Sequence, residues 1–563
     1  MSEAPSSTPV DAGSWSLLEP RYRELIDRPL RCPGCLERLL LDRSELDAQV
    51  SEHEANLYID MTCHTDDAAR QQAYLRFVED VEPMLRKAAF ALDHRIATSP
   101  FAPALDPARY GVLLRDVGVE VELFREENVP IQTEITRLDQ QYSQVAGAQT
   151  VQFRGQERTL AQMNAFLEET DRAVREEAWK AIFARRFADR DAIDAIYDRM
   201  VERRTAIARN AGFADFRDFQ HRRLKRFDYS PADCATFHAA VEQVCVPLMR
   251  DLDAQRAEAL GVEPLRPWDL AVDVHGRPPL RPFVGAEALV AGTSRMFRRM
   301  RPSLGTMFDA MRGGGCLDLE SRKGKAPGGY QYQRQWSRTP FIFMNAAGLQ
   351  RDLVTMVHEA GHAFHSTLAR DEPLLPYRSA PMEFSEVASM SMELLTFPYL
   401  GEFYDEAQAA RARRGLLEEL TGKLAWIAQI DAFQHWVYTN PGHTREQRVQ
   451  AWLALDERFG HAIDWTGFEP WRGRIWQRQI HLFSVPFYYI EYGIAQLGAL
   501  QMWLAYRDDP ERALDNYARA LSLGGSRPLP ELFAAAGLRF RFDAEIMAEL
   551  MEAVREEVSV LPV

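Results

Sequence analysis

Two histidines four residues apart, with a glutamate beside the first, stand at His358-Glu359-Ala360-Gly361-His362. On a helix, positions i and i+4 share a face, so both imidazoles can meet one ion. Zinc favours imidazole nitrogen, and a catalytic zinc keeps three protein ligands plus a water. Glu359 falls one position on, close enough to bond that water without ligating, which is where a hydrolase needs a general base. The flanks Leu353, Val354, Met356, Val357, Ala360, Ala363 and Phe364 are apolar on most sides of the helix. Imidazoles and a carboxylate buried in such a helix need partners, and a metal supplies them. The segment is therefore expected to hold one zinc ion per chain and to hydrolyse peptide bonds.

The third ligand has to come from elsewhere. The pattern HExxHxxGxxH is not met, because the chain continues as His365-Ser366-Thr367-Leu368-Ala369-Arg370-Asp371-Glu372. His365 is on nearly the same face, but a third ligand one turn along the same helix would strain a tetrahedral site; it is expected to pack or to support a ligand. The helix expected from Met382 to Phe397 carries Glu383, Glu386 and Glu393 on one stripe with Ser389 and Met390, among otherwise apolar residues. Such a stripe faces something positive. The residues alone leave both Glu383 and Glu386 open as the ligand.

The elements that position these residues are mostly helical. Ser44 to Asp60, Asp67 to His94, Leu160 to Ala211, Pro231 to Leu260, Leu349 to Arg370, Tyr488 to Arg507 and Pro510 to Leu523 are amphipathic or apolar runs of helical period. Ser230-Pro231-Ala232-Asp233 and Thr159-Leu160-Ala161-Gln162 read as helix starts. Strand signals gather between about Pro264 and Gly348, in Leu317-Asp318-Leu319, Gly329 to Tyr332 and Phe341 to Met344. A small sheet thus precedes the histidine helix. The intervening loop Arg322 to Gly328 has no phosphate-binding spacing.

Val357 to His365, followed by Phe384-Ser385-Glu386-Val387-Ala388-Ser389, resembles the thimet oligopeptidase and oligoendopeptidase F family of zinc metallopeptidases. The resemblance extends to Asn210 to Phe216, Pro267 to Leu270, His481 to Gly493 and Tyr517 to Ser526, and holds from about Thr150 to the end. It implies Glu386 as third ligand and Glu393 as its neighbour in the outer shell. His481, Tyr489 and Tyr492 are implied in substrate binding and catalysis, with Tyr488 competing with Tyr489. The segment lacks most glycines of the thimet loop and follows the oligoendopeptidase F branch. The implied fold is mainly α, two helical lobes around a deep substrate channel, with the small sheet beside the HExxH helix. Residues 1–150 would form an N-terminal helical region and 151–563 the catalytic region. The strand Phe341 to Asn345 would pair with an extended substrate, putting Phe343 and Asn345 against it. The implied reaction is cleavage of internal bonds in short, unstructured oligopeptides. A helical zinc carboxypeptidase and a non-catalytic zinc-stabilised scaffold are the alternatives.

Composition narrows the remaining classes. A net charge of −15 over 563 residues disfavours a nucleic-acid binder. No run approaches the ~20 apolar residues of a membrane span, and Met1 to Ser7 lacks the pattern of a secretory leader. Six cysteines do not make a disulfide scaffold, so a reducing, cytoplasmic location is expected. Cys32-Pro33-Gly34-Cys35 has no second pair to complete a zinc ribbon and is expected to be a turn.

Overall fold

The computed structural model describes residues 10–326 and 328–562. The start Met1 to Ser7 and Pro327 of the 322–328 loop lie outside them. Helices dominate, with a two-stranded and a three-stranded sheet. The chain divides into two compact units of three segments each: Met1–Glu122, Leu280–Ala409 and Gly498–Phe540 form one, and Leu123–Pro279, Ala410–Leu497 and Arg541–Val563 the other.

In the first unit, helix α1 (Pro33–Cys63) begins at the CxxC expected as a turn. Cys32 is its N-cap, with Sγ accepting from the Cys35 amide at 3.2 Å, and Pro33 takes the first helical position, where its missing N–H costs nothing. Two expected helices are interrupted by π turns just before a proline, Phe77–Val81 before Pro83 in this unit and Val241–Cys245 before Pro247 in the second. Proline removes an amide donor and crowds the preceding turn, which widens the spiral.

In the second unit, the run expected as one helix from Leu160 breaks at Asn164–Glu168 and again near Asp189. A hairpin that the sequence reading missed, β1 (Thr150–Phe153) and β2 (Gln156–Thr159), precedes it. Its turn residues Arg154 and Gly155 have φ of 52° and 76°, the left-handed pair of a tight hairpin.

The three-stranded sheet of the first unit consists of β3 (Leu317–Glu320), β4 (Tyr330–Arg334) and β5 (Thr339–Ala346), in the order β3-β5-β4. β3 runs parallel to β5 and β4 antiparallel, with Tyr330 opposite Phe343 and Tyr332 opposite Phe341. This corrects the expected substrate strand. β5 is central and paired on both sides, so it has no edge to offer. Phe343 is buried, stacked on Tyr330 at 4.7 Å, and Asn345 Nδ2 donates to the carbonyls of Ala326 and Gly328. Both residues hold the sheet and its loop. From β5 the chain enters α2 (Gln350–Leu368), then α3 (Met382–Leu395); α4 (Tyr489–Asp508) and α5 (Pro510–Leu521) follow later.

The second unit buries a polar cluster of His221, Cys234, His238, Asp431 and His435. His238 Nε2 lies 2.8 Å from Asp431 Oδ2. Burial alone would raise the Asp431 carboxyl, but the imidazoles of His435 and His238 hold it well below the usual range. His221 is pushed down to about 2 by burial, then by Arg226, whose Nη1 is 3.3 Å from His221 Nε2, and by His435 and Arg217 against a weaker pull from Asp431. Its folded value lies far below the unfolded value of about 6.5. The folded imidazole therefore stays neutral while the unfolded one takes up a proton as pH falls. Stability is lost below about pH 6.5, at about 1.4 kcal/mol per pH unit. His221→Gln removes that loss, so the drop in unfolding free energy between pH 7 and 5 should be smaller than in the wild type by about 2 kcal/mol. Denaturant titrations at the two pH values measure it; equal drops would show that His221 is not the linked group.

Candidate active site

The site starts with how α2 leaves the sheet. Asp352 Oδ2 accepts from the amides of Ala347 at 2.7 Å and Leu349 at 2.9 Å, closing the turn before the helix. His358 and His362 then share a face, their ring centroids 5.0 Å apart. α3 packs along that face and brings Glu386 Oε2 to 3.5 Å from His358 Nε2 and 3.6 Å from His362 Nε2. Glu383, the alternative left open above, is buried in the first turn of α3 but is not among the converging donors.

The approach depends on residue 361 being glycine. A Cβ there would lie 2.6 Å from both Ala388 O and Ser389 Cα, backbone atoms of α3 that cannot swing aside. Tyr517 of α5 donates its hydroxyl to the same Ala388 carbonyl at 2.8 Å, holding α3 from behind. Ser389 Oγ donates to Glu386 Oε2 at 2.9 Å, and Glu393 Oε1 receives His358 Nδ1 at 2.6 Å. Glu393 thus fixes the tautomer that leaves Nε2 of His358 available.

These residues fit a zinc ion. Ligand bonds of about 2.0–2.1 Å in tetrahedral geometry separate the ligand atoms by about 3.3–3.4 Å. The donor atoms of His358, His362 and Glu386 lie within 4.8 Å of one another, and two imidazoles with one carboxylate make the donor set of an open catalytic site.

Burial sets the electrostatics. It pushes the Glu359 carboxyl up to about 7, with His358 pulling down, Glu386 pushing further up, and the Gln331 amide of β4 donating a hydrogen bond that favours the charged form. His358 would fall on burial, but its hydrogen bond to Glu393 and the charges of Glu386 and Glu393 push it up to about 9. His362 has no such partner and is pushed down to about 4. The negative surroundings that hold a proton on His358 equally favour a cation, so protons and metal compete there. His365 lies edge-on to Phe384 with centroids 6.3 Å apart, its Nε2 buried without a hydrogen-bond partner, and burial pushes it down to about 3. It is a packing histidine.

The second unit holds the other expected site residues together. His481 opens a short helix, His481–Ser484, and Tyr489 begins α4. The His481 ring lies 4.9 Å from Tyr489, 6.1 Å from Tyr492 and 6.1 Å from Tyr488. Between the helices Phe487 takes φ +65°, a left-handed conformation costing a bulky residue about 1–3 kcal/mol. Gln434 accepts from the Phe487 amide at 2.6 Å and Arg226 donates to its carbonyl, holding that turn. Burial raises the Tyr489 hydroxyl, against hydrogen bonds to Trp426 and Gln479, and lowers His481.

The sequence reading missed the parts played by Gln331, Gly361, Ser389, Tyr517 and Gln434. Gly361 left a local signal, a residue without a side chain on the face that two ligand-type histidines share, and Ser389 stood on the carboxylate stripe of the next helix.

A candidate metal site of HExxH type, built on two helices beside a small sheet, points to a class of metallopeptidase, and the comparisons agree. The sequence model of peptidase family M3 matches residues 165–552. The chain belongs to that family, for which zinc is expected. It is 23% identical over 403 residues to oligopeptidase PepF of Bacillus subtilis strain 168, covering 65% of this chain and 58% of that relative. It is 30% identical over 123 residues to the chromosomal oligoendopeptidase F of Lactococcus lactis subsp. cremoris, 22% of this chain and 20% of the relative. Among solved structures, PZ peptidase A with inhibitor 2 superposes with a TM-score of 0.90 at 29% identity, over 98% of this chain and 99% of that one. A structure from Bacillus anthracis strain Ames assigned to oligoendopeptidase F superposes at 0.86 and 25% identity, over 99% and 98%. Among the described residues no helix is long and apolar enough to cross a membrane.

Gly361→Ala tests the helix contact. The added methyl must push α3 outward, carrying Glu386 from the histidines. Zinc affinity, measured by competition with a chromophoric chelator, should fall at least tenfold, with about 1–3 kcal/mol lost in stability. Unchanged affinity would mean that the close approach does not set the donor geometry.

Proposed function

We propose that this protein is a zinc-dependent endopeptidase that cuts internal bonds of short, unstructured oligopeptides. The observation that carries the reading is the convergence of two imidazole nitrogens and the Glu386 oxygen beside a buried carboxylate poised near neutrality. His358, His362 and Glu386 would hold one zinc ion per chain. When bound, the metal supplies an acidified water and a polarised peptide carbonyl.

Glu359 takes the proton of the attacking water and returns it to the leaving amide nitrogen. A carboxylate beside the attacking water can do both, first as base and then as acid. Glu393 keeps His358 oriented through Nδ1, and Ser389 keeps Glu386 oriented. Gln331 ties the base to β4, an edge strand beside which an extended peptide can be added through its main chain. Tyr489 or Tyr492 donates to the developing oxyanion and His481 contacts the substrate; these roles rest on the motif match and on the shared aromatic cluster. The restriction to short chains rests on the kinship with proteins named oligopeptidase and oligoendopeptidase.

Glu359→Gln should retain fold and zinc yet lose kcat by about 100- to 10,000-fold on a quenched peptide. Substantial turnover in that variant would remove Glu359 as the base. In parallel, Glu386→Gln should lose most of its zinc by elemental analysis while Glu383→Gln keeps it; the reverse order would reassign the ligand. Tyr492→Phe removes one hydroxyl and should lower kcat about 100-fold with KM little changed. An unaltered kcat would assign Tyr492 to packing.

A further inference from the structure

In the second unit a cavity of 160 Å³ lies between the helix Arg172–Ala188 and the segment Trp471 to Arg478. Arginines of this chain are mostly consumed. Arg175 and Arg226 pair with buried carboxylates, and Arg204 is bonded to Tyr438 and to the carbonyls of Leu482 and Phe483. The cavity holds two exceptions. Arg186 Nε and Nη1 are buried with no hydrogen-bond partner, and burial lowers this guanidinium with only Tyr142 opposing. Arg478 stacks over the Trp426 ring at 4.9 Å; its protein surroundings and the charge of Arg186 push it down to about 10, although the side chain keeps access to solvent. Arg474 also lines the cavity but lies 3.3 Å from Asp194.

Three other polar groups of the wall are bonded within the protein. Tyr142 donates to Gln477 O at 2.9 Å, Gln149 to Asp189 at 2.9 Å, and Gln477 Nε2 to Arg190 O at 3.0 Å. The remaining wall is apolar, with Phe183, Leu160 and Trp471. Two guanidiniums close enough to repel each other, one of them with buried, unmet N–H groups, call for an oxyanion, whose geometry their forks match. Apolar walls favour an anion carried on an apolar body over a strongly hydrated inorganic one.

We propose that Arg186 and Arg478 bind the terminal carboxylate of a peptide whose last side chain is apolar. The peptide identity of the ligand rests on the function proposed above; the carboxylate site itself does not. Such a clamp distinguishes free from amidated C-termini.

The test is calorimetric titration of the full-length zinc-loaded protein with N-acetylphenylalanine and with its C-terminal amide, molecules that contain no bond between two residues. The carboxylate should bind at least tenfold more tightly than the amide. Arg186→Gln and Arg478→Gln should each weaken it at least tenfold with unchanged zinc content and melting temperature, while Arg185→Gln on the same helix leaves it unchanged. Inorganic phosphate should compete only weakly. Equal binding of acid and amide would overturn the proposal. So would binding lost in Glu386→Gln but kept in Arg186→Gln, which would put the carboxylate on the metal. Phosphate binding that depends on Arg186 while the acid fails to bind would replace the proposed ligand by inorganic phosphate. Because the readout is binding, a negative result leaves the hydrolytic assignment standing, and an active Glu359→Gln leaves this site standing.

Discussion

Side chains from two helices meet on one atom-sized point only if the helices touch closely along the stretch that carries them. Helix axes usually sit about 8–10 Å apart, at a distance set by the residues in the contact. Here the contact residue on α2 is Gly361, facing Ala388 and Ser389 of α3 with no room for a methyl group. The glycine lies between the two histidines in sequence, and Ala388 and Ser389 follow Glu386 within one turn. The steric contact and the three donors therefore form one rigid patch. Tyr517 bonds the carbonyl at its centre, so α5 serves the site without touching it.

That patch concentrates negative charge in a buried place. Glu359, Glu386 and Glu393 stand around two imidazoles, and an isolated buried carboxylate would be costly. Each has a partner: Gln331 N–H for Glu359, Ser389 for Glu386, His358 for Glu393. A buried network is stable when its members are bonded, and here the last member is supplied by β4 rather than by either helix. β4 is itself anchored, since Tyr330 OH is 2.6 Å from Thr62 Oγ1 of α1 and its ring stacks on Phe343. The sheet thus reaches Glu359 through a backbone amide, and α1 acts by fixing the sheet.

How much of this the sequence disclosed follows from how local each signal is. The helix spacing of His358 and His362, and the three strands before them, were legible because period and turn residues act within a few positions. Glu386 needed a family resemblance, because Glu383 sits on the same stripe and only the helix packing separates them. Strand order was hidden: nothing in Phe341 to Asn345 says that it lies between two neighbours, and its apolar run fits a central strand as well as a receiving one. The same holds for Gln331, whose contribution is a backbone group that any residue type would carry. The π turns before Pro83 and Pro247 had a local cause, yet amphipathic period continues through them and masked the break.

Strand order also decides what can lie next to Glu359. β5 spends both edges on β3 and β4, and in doing so fixes the height of β4 relative to α2. The Gln331 amide reaches Glu359 from that position. An extended chain added to β4 would take its register from the same backbone that carries the Gln331 amide. Registry of this kind needs no particular substrate side chain, because strand addition uses main-chain groups. Selectivity in strand addition has to come from pockets for the side chains rather than from the strand itself.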